Sequence, residues 1–183
     1  MIRTFAAIDL PEEIKADLAF VIADLSRKND RVRWVKPAGM HLTLKFLGDI
    51  PEQVVVPLSA ELGAVARDFA PLSLAVEGLG AFPNPRRPRV VWAGLSGDLE
   101  PLRKLASRVD KACASFGIKP EKRPFQAHIT IGRLKIPTVV DLNKELRKKG
   151  FSATEIVLYQ SELLPTGARY TVLNRSILGH KGE

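Results

Sequence analysis

Two stretches of this sequence carry one pattern, His41-Leu42-Thr43-Leu44 and His128-Ile129-Thr130-Ile131. Each reads His-x-Thr-aliphatic within a run of strand-forming residues. Side chains alternate faces along a strand, so His and Thr two apart share one face. Leu42 and Leu44, or Ile129 and Ile131, then take the opposite, buried face. Of the three histidines in the chain, two fall in this setting. One such strand constrains little, because a histidine in a strand is commonly a satisfied structural residue. Two copies in the same hydrophobic phase imply two strands facing each other across one cleft.

The surrounding sequence supplies further strands and helices. Residues 2–10 read as a strand. Pro11, Glu12 and Glu13 open a helix, with Ile14, Leu18, Val21, Ile22 and Leu25 on one face, ending near Lys28. A short strand over 31–36 is centred on Trp34, and residues 37–39 turn into the first motif strand. A second helix runs to about Asp68, with Pro57 either opening its regular part or kinking its first turn. Strands follow at 72–79 and 90–95, separated by a Pro-rich basic loop that carries Arg86, Arg87 and Arg89. Asp98 is placed to cap a third helix that ends at Gly117. A loop over 118–127 carries Lys119, Lys122 and Arg123 into the second motif strand. The spacing then predicts a short helix over 141–149, ended by Gly150, and strands over 153–164 and 169–178 with Gly167 between them. The tail from Gly179 is expected to fray and holds His180. This order, hairpins mixed with helical crossovers, predicts an α+β fold with helices on one side of largely antiparallel sheets. The 183 residues suit a single domain of two lobes, with one motif strand (41–44 and 128–131) in each.

Lys and Arg number 28 against 20 Asp and Glu, a net charge of +8, which favours polyanionic partners without choosing among nucleic acids, nucleotides and a membrane surface. The single cysteine, Cys113, rules out an internal disulfide and agrees with a reducing, cytoplasmic compartment. Its helical spacing with Val109 and Phe116 makes it core filler. No apolar run approaches the ~20 residues of a membrane span. The N-terminal residues lack a signal-peptide layout.

Two imidazoles in one cleft can supply a base and an acid near neutral pH, because an unperturbed histidine titrates near ~6.5. Displacement at phosphorus uses such a pair: one group deprotonates the attacking oxygen, the other protonates the departing one. Thr43 and Thr130 can donate hydrogen bonds to non-bridging phosphate oxygens. A catalytic zinc would take three protein ligands, and these motifs offer two histidines with no carboxylate at ligand spacing. No nucleophile elbow, Walker loop or dinucleotide fingerprint is present.

In these residues the chain resembles the 2H phosphoesterase superfamily, and most of all the RNA 2′,3′-cyclic phosphodiesterases, also called RNA 2′-5′ ligases. The matching segments are Arg3 to Pro11, Trp34 through Gly48, Pro88 to Gly94, Arg123 to Arg133 and the region from Tyr159 to Leu173. Ala127 departs from the pattern, where such proteins often carry proline. The resemblance implies a two-lobed, pseudo-symmetric fold around a V-shaped cleft. It implies hydrolysis of a terminal 2′,3′-cyclic phosphate to a 2′-phosphate, with His41 as proton donor and His128 as proton acceptor and with no metal or organic cofactor. The expected partners are RNA ends or cyclic nucleotides, with no membrane and no obligatory protein partner, the chain acting as a monomer.

Several residues are open to two readings. Arg133 follows the second motif and could reach a phosphate, yet its nominal phase puts it with Ile129 and Ile131, where a salt bridge serves equally well. Phe5, Phe46 and Tyr170 could stack on a base, though lone aromatics in strands are more often core. Lys144, Arg147, Lys148 and Lys149 read as the solvated face of the short helix. The same two histidines would also serve 2′-5′ ligation, and a non-catalytic RNA-binding module is the third reading.

Overall fold

A computed structural model describes residues 1–179, so His180 lies outside the described residues. The chain runs β1 (Ile2–Asp9), α1 (Glu12–Ser26), β2 (Arg33–Trp34), β3 (His41–Ile50), α2 (Val55–Arg67), β4 (Leu72–Phe82), β5 (Val90–Gly97) and α3 (Leu99–Ala114). It continues through β6 (His128–Arg133), β7 (Lys149–Ala153), β8 (Glu155–Leu164) and β9 (Gly167–Ile177). Two antiparallel sheets result, one in the order β3-β1-β8-β9 and the other β2-β6-β5-β4-β7. Each contains one motif strand, and β3 and β6 lie alongside each other. The fold is α+β, with α2 against β8 and β9, and α3 against α2 and β3. One large core joins these helices to the apolar face of both sheets, including Ile8, Leu42, Leu44, Ile129 and Ile131.

Local chemistry accounts for most element ends. The regular part of α2 begins at Val55, after a 3-10 turn over Glu52–Val54. Pro57 therefore stands in its first turn, where the missing N–H costs no helical hydrogen bond. Gly117 follows α3 at φ +77°, a conformation that a side chain disfavours.

Three expectations are corrected. The helix predicted over 141–149 does not form. The Asn29 side chain takes both backbone polar groups of Asp141, accepting from its N–H at 2.8 Å and donating to its carbonyl at 2.9 Å. Lys149–Ala153 then pairs with Leu72–Val76 as an edge strand, so Gly150 sits inside a ladder instead of ending a helix. Tertiary hydrogen bonds outweigh a weak local propensity here. The basic cluster is accordingly no helix face: Lys144 pairs with Asp24, Lys148 with Glu77 at 3.6 Å, and Lys149 with Asp17 at 3.0 Å. Asp98 precedes α3 but its carboxylate does not cap it. It accepts from the Ser73 N–H at 2.8 Å, tying the start of α3 to β4.

The most consequential feature is a register slip that both motif strands share. Ala7 pairs with Thr43 and Ala6 with Lys45, leaving Leu44 without a partner on β1. Trp92 pairs with Thr130 and Val91 with Gly132, leaving Ile131 without one on β5. A bulge of one residue inverts the facing of the residues after it, in β3 as far as a second slip at Leu47. The first six residues of β3 and of β6 consequently show the same sequence of burial. Lys45 turns inward and is 6% exposed. Its ammonium meets the Asp110 carboxylate of α3 at 2.6 Å and donates to the Lys119 carbonyl at 2.7 Å. Gly132 holds the equivalent place in β6, where a Cβ would meet Val32 Cγ1 at 2.5 Å and block the docking of β2.

Lys45→Met is expected to lower stability by about 1–3 kcal/mol, because it strands a partly buried carboxylate. Adding Asp110→Leu should recover part of that loss. Urea melts of the two variants check this; a single variant as stable as the parent would show that the pair does not hold the fold.

Candidate active site

Thr43 and His41 on β3 pair with Ala7 and Asp9 on β1, so all four face the same way. Phe5 and, through Phe5, Tyr159 on β8 belong to this face as well. Here the side chains form a second, small apolar cluster of Phe5, Ala7, Val157 and Tyr159 with Tyr170 packed on it. The His41 ring stacks on Phe5 at 4.6 Å between centroids and meets Tyr170 edge-on at 5.3 Å. His128 and Thr130 share a face of the other sheet with Trp92, which pairs with Thr130. Phe82 meets the His128 ring edge-on at 5.1 Å and lies 5.2 Å from Trp92. Each histidine thus stands half-buried on an aromatic shelf of its own sheet.

The two imidazoles are held differently. His128 Nδ1 lies 2.7 Å from the Gln126 carbonyl oxygen. That oxygen only accepts, so Nδ1 carries the proton and Nε2 of neutral His128 keeps its lone pair free. For His41, burial is the largest influence and lowers its pKa from 6.5 to about 4. A hydrogen bond with the Gly39 backbone and the Asp9 carboxylate oppose this, while Arg133 and Lys15 add to it. Asp9 is itself occupied by buried Lys15 at 3.0 Å. His41 in the free protein is therefore neutral at pH 7. Burial likewise raises Tyr159 to about 12, so its phenol keeps its proton.

Of the residues singled out from sequence, His41, Thr43, His128 and Thr130 each lie on the face expected, and Arg133 does not. The slip at Ile131 carries Arg133 across to the His128 and Thr130 side, opposite Val90. It is exposed, and its charge is felt at His41. Among the described residues no carboxylate pairs with it, so the salt-bridge reading fails there. Phe46 is moved to the face of Phe5 and His41 by the same device and is 62% exposed, against the expectation of a core residue. Phe5 is core, as expected, and Tyr170 packs on it. Tyr159, Phe82 and Trp92 were not singled out. Nothing local marks them, since strand pairing alone brings them to the histidines.

Other candidates separate from this site. Cys113 is buried, and burial pushes its thiol up to about 11, which leaves it inert. Arg89 donates to the Lys135 carbonyl at 2.8 Å, while Arg86 and Arg87 are exposed in a turn organised by Asn84. A groove of about 480 Å³ runs between Phe46–Pro51 and Phe116–Lys119; it includes neither histidine. Among the described residues no three His, Cys, Asp or Glu side chains gather in a ligand set, and no helix is long and apolar enough to cross a membrane.

Comparison with known proteins bears on this arrangement. The model of the LigT-like phosphoesterases matches residues 8–92 and 95–170. The RNA 2′,3′-cyclic phosphodiesterase of Archaeoglobus fulgidus is 35% identical over 173 residues, which is 92% of this chain and 96% of the relative. That of Thermotoga maritima is 35% identical over 93% of this chain and 92% of the relative. Among solved structures, Escherichia coli LigT complexed with 3′-AMP superposes with a TM-score of 0.85 at 30% identity, covering 97% of this chain and 98% of that one. A Thermus thermophilus structure gives 0.82 at 30% identity, covering 97% and 98%. Similarity of this extent, with both His-x-Thr strands inside the matched segments, makes the chain a member of the LigT-like (2H) phosphoesterase family.

Proposed function

We propose that this protein hydrolyses the 2′,3′-cyclic phosphate at the 3′ end of RNA to a 2′-phosphate. The observation that carries this reading is the pair of half-buried histidines, each beside a threonine on the aromatic face of its own sheet. The relatives named RNA 2′,3′-cyclic phosphodiesterase support the choice of substrate.

In the proposed reaction His128 Nε2 takes a proton from water as its oxygen bonds to phosphorus. The P–O3′ bond breaks, and protonated His41 delivers its proton to O3′. One water is consumed, and exchange with solvent resets both rings. Thr43, Thr130 and Arg133 hold the non-bridging oxygens and offset the charge that gathers on them. The fixed Nδ1–H of His128 suits a base. The low pKa of His41 does not by itself suit an acid. A donor role requires the bound phosphate anion to raise it, as a nearby negative charge does for any imidazolium. The two histidines supply acid and base, so the reaction needs no metal. The single cysteine fits a cytoplasmic setting, and the basic charge fits a protein acting on RNA ends or cyclic nucleotides; we take it to act as a monomer.

An oligonucleotide ending in a 2′,3′-cyclic phosphate tests the reading. A 2′-phosphate product supports it, a joined 2′-5′ product would favour ligation, and binding without conversion would leave a recognition module. Activity should survive EDTA; loss restored by Zn²⁺ or Mn²⁺ would refute the metal-free mechanism.

His41→Ala and His128→Ala should each lower turnover on the order of 10²–10⁴-fold with the fold retained. Thr43→Ala and Thr130→Ala should cost roughly 10–10³-fold. A substrate with a better leaving group than O3′ should partly rescue His41→Ala and leave His128→Ala unchanged. Rescue of His128→Ala instead would exchange the two roles.

The His41 ring should titrate near 4 in the free protein and higher once a 2′-nucleotide is bound, followed by NMR. An unchanged midpoint would remove His41 as the donor. The same depression ties stability to pH. Folding favours neutral His41, so its contribution is complete above the unfolded pKa of ~6.5 and is lost as pH falls towards 4. His41→Gln should flatten that part of the stability profile.

A further inference from the structure

Arg33 and Arg133 stand directly opposite each other in the β2–β6 ladder. Residues so paired share a face, and their Cα atoms are about 4.5–5.5 Å apart. Arg133 lies on the His128 and Thr130 face, so Arg33 lies there too. The next pair, Trp34 and Gly132, turns the other way, and Trp34 packs on the core. Like charges in direct register repel. Both arginines are exposed, and neither has a carboxylate partner among the described residues. Arg27, Arg103, Arg108, Arg169 and Arg175 each pair with an acid, while among the described residues the other arginines do not; what sets Arg33 and Arg133 apart is their direct register. The second sheet therefore ends in two arginines in direct register on the His128 and Thr130 face, and the charge of the inner one, Arg133, is felt at His41.

We infer that Arg33, beside Arg133, forms a second phosphate subsite for the phosphodiester 5′ of the terminal nucleotide. This rests on the hydrolytic reading above. The cyclic phosphate lies between the histidines, and the nearest other anion of an RNA end is the phosphate on the 5′ side of the same nucleoside. Arg133 reaches inward. Arg33, on the edge strand β2, stands one strand farther out, where the chain leaves the cleft. Arg31 is exposed in the turn just before β2 and adds a further positive charge near this edge. A guanidinium offers planar paired donors that match a phosphate, and a bound phosphate would relieve the repulsion between the two arginines.

Two substrates separate the subsite from the catalytic centre. One is a 2′,3′-cyclic mononucleotide with a free 5′-hydroxyl, which has no second phosphate. The other is a dinucleotide ending in a 2′,3′-cyclic phosphate, which has one. Arg33→Gln should lower kcat/KM for the dinucleotide about tenfold through KM and leave the mononucleotide unchanged. Arg33→Lys should keep part of the preference. Plots of log affinity against log salt should lose about 0.7 of their slope for the dinucleotide in Arg33→Gln, the contribution of one phosphate contact on a single strand. Equal loss for both substrates, or no loss for either, overturns the subsite and leaves Arg33 as a charge that blunts a sheet edge. Binding of a dinucleotide and a mononucleotide that each end in a 2′-phosphate makes the same comparison without turnover. Failure of the hydrolytic reading shows separately, as wild-type protein that converts neither substrate.

Discussion

The slip of one residue at the fourth position of each motif strand decides which side chains join the histidines and threonines on their face. Up to that point both strands alternate, with His and Thr outward and an aliphatic residue inward. Leu44 and Ile131 stay in the core without a partner on the neighbouring strand. Strict alternation would bring Lys45 out beside Thr43, adding a cation to the face where burial already disfavours the His41 imidazolium. It would also turn Phe46 and Arg133 towards the core. Instead Lys45 is held inside by Asp110 and the Lys119 carbonyl. Those contacts reach α3 and the loop that leads to His128, so one buried ammonium joins the strand of one histidine to the approach of the other.

The electrostatics of His41 follow from its neighbours. Phe5 and Tyr170 replace water around the ring, and the neutral form prevails. Arg133 pushes in the same direction. A phosphate anion held by Arg133 would cancel that push and add its own opposite one. The residue that draws the substrate in would then stop opposing protonation of His41 at the moment an acid is needed. On the proposed mechanism, binding and proton uptake are therefore one event. The Asp9 carboxylate contributes less than its position suggests, because Lys15 already engages it.

The sequence made the histidines legible because their signal is local: two residues, one phase, one buried face, repeated. The strands and the three long helices were legible for the same reason, through apolar spacing and turn residues. What escaped depended on partners distant in the chain. Asn29 diverts Asp141 from a helix across 112 positions. Ser73 draws Asp98 away from its cap. Arg133 falls on the face opposite to its nominal phase because a bulge is a property of two paired strands, and alternation counted along one strand cannot show it. Trp92 and Tyr159 reach the site only through the ladders that place them beside Thr130 and Phe5.

The two halves share a scaffold but differ in what surrounds it, and on the proposed mechanism the difference would let two identical imidazoles take opposite tasks. β3 is an edge strand, and its inward residue after the slip is a lysine bound to α3. β6 is covered by β2, and its equivalent residue is Gly132, the one side chain small enough to admit Val32 and Trp34. The next residue outward is Phe46 on one strand and Arg133 on the other. Apolar surface therefore marks one equivalent position and cationic surface the other, doubled there by Arg33. A symmetric cleft would bind a cyclic phosphate in two orientations related by its axis. On the proposed mechanism this distribution of charge would favour one of them, with the anionic side of an RNA end directed towards β2.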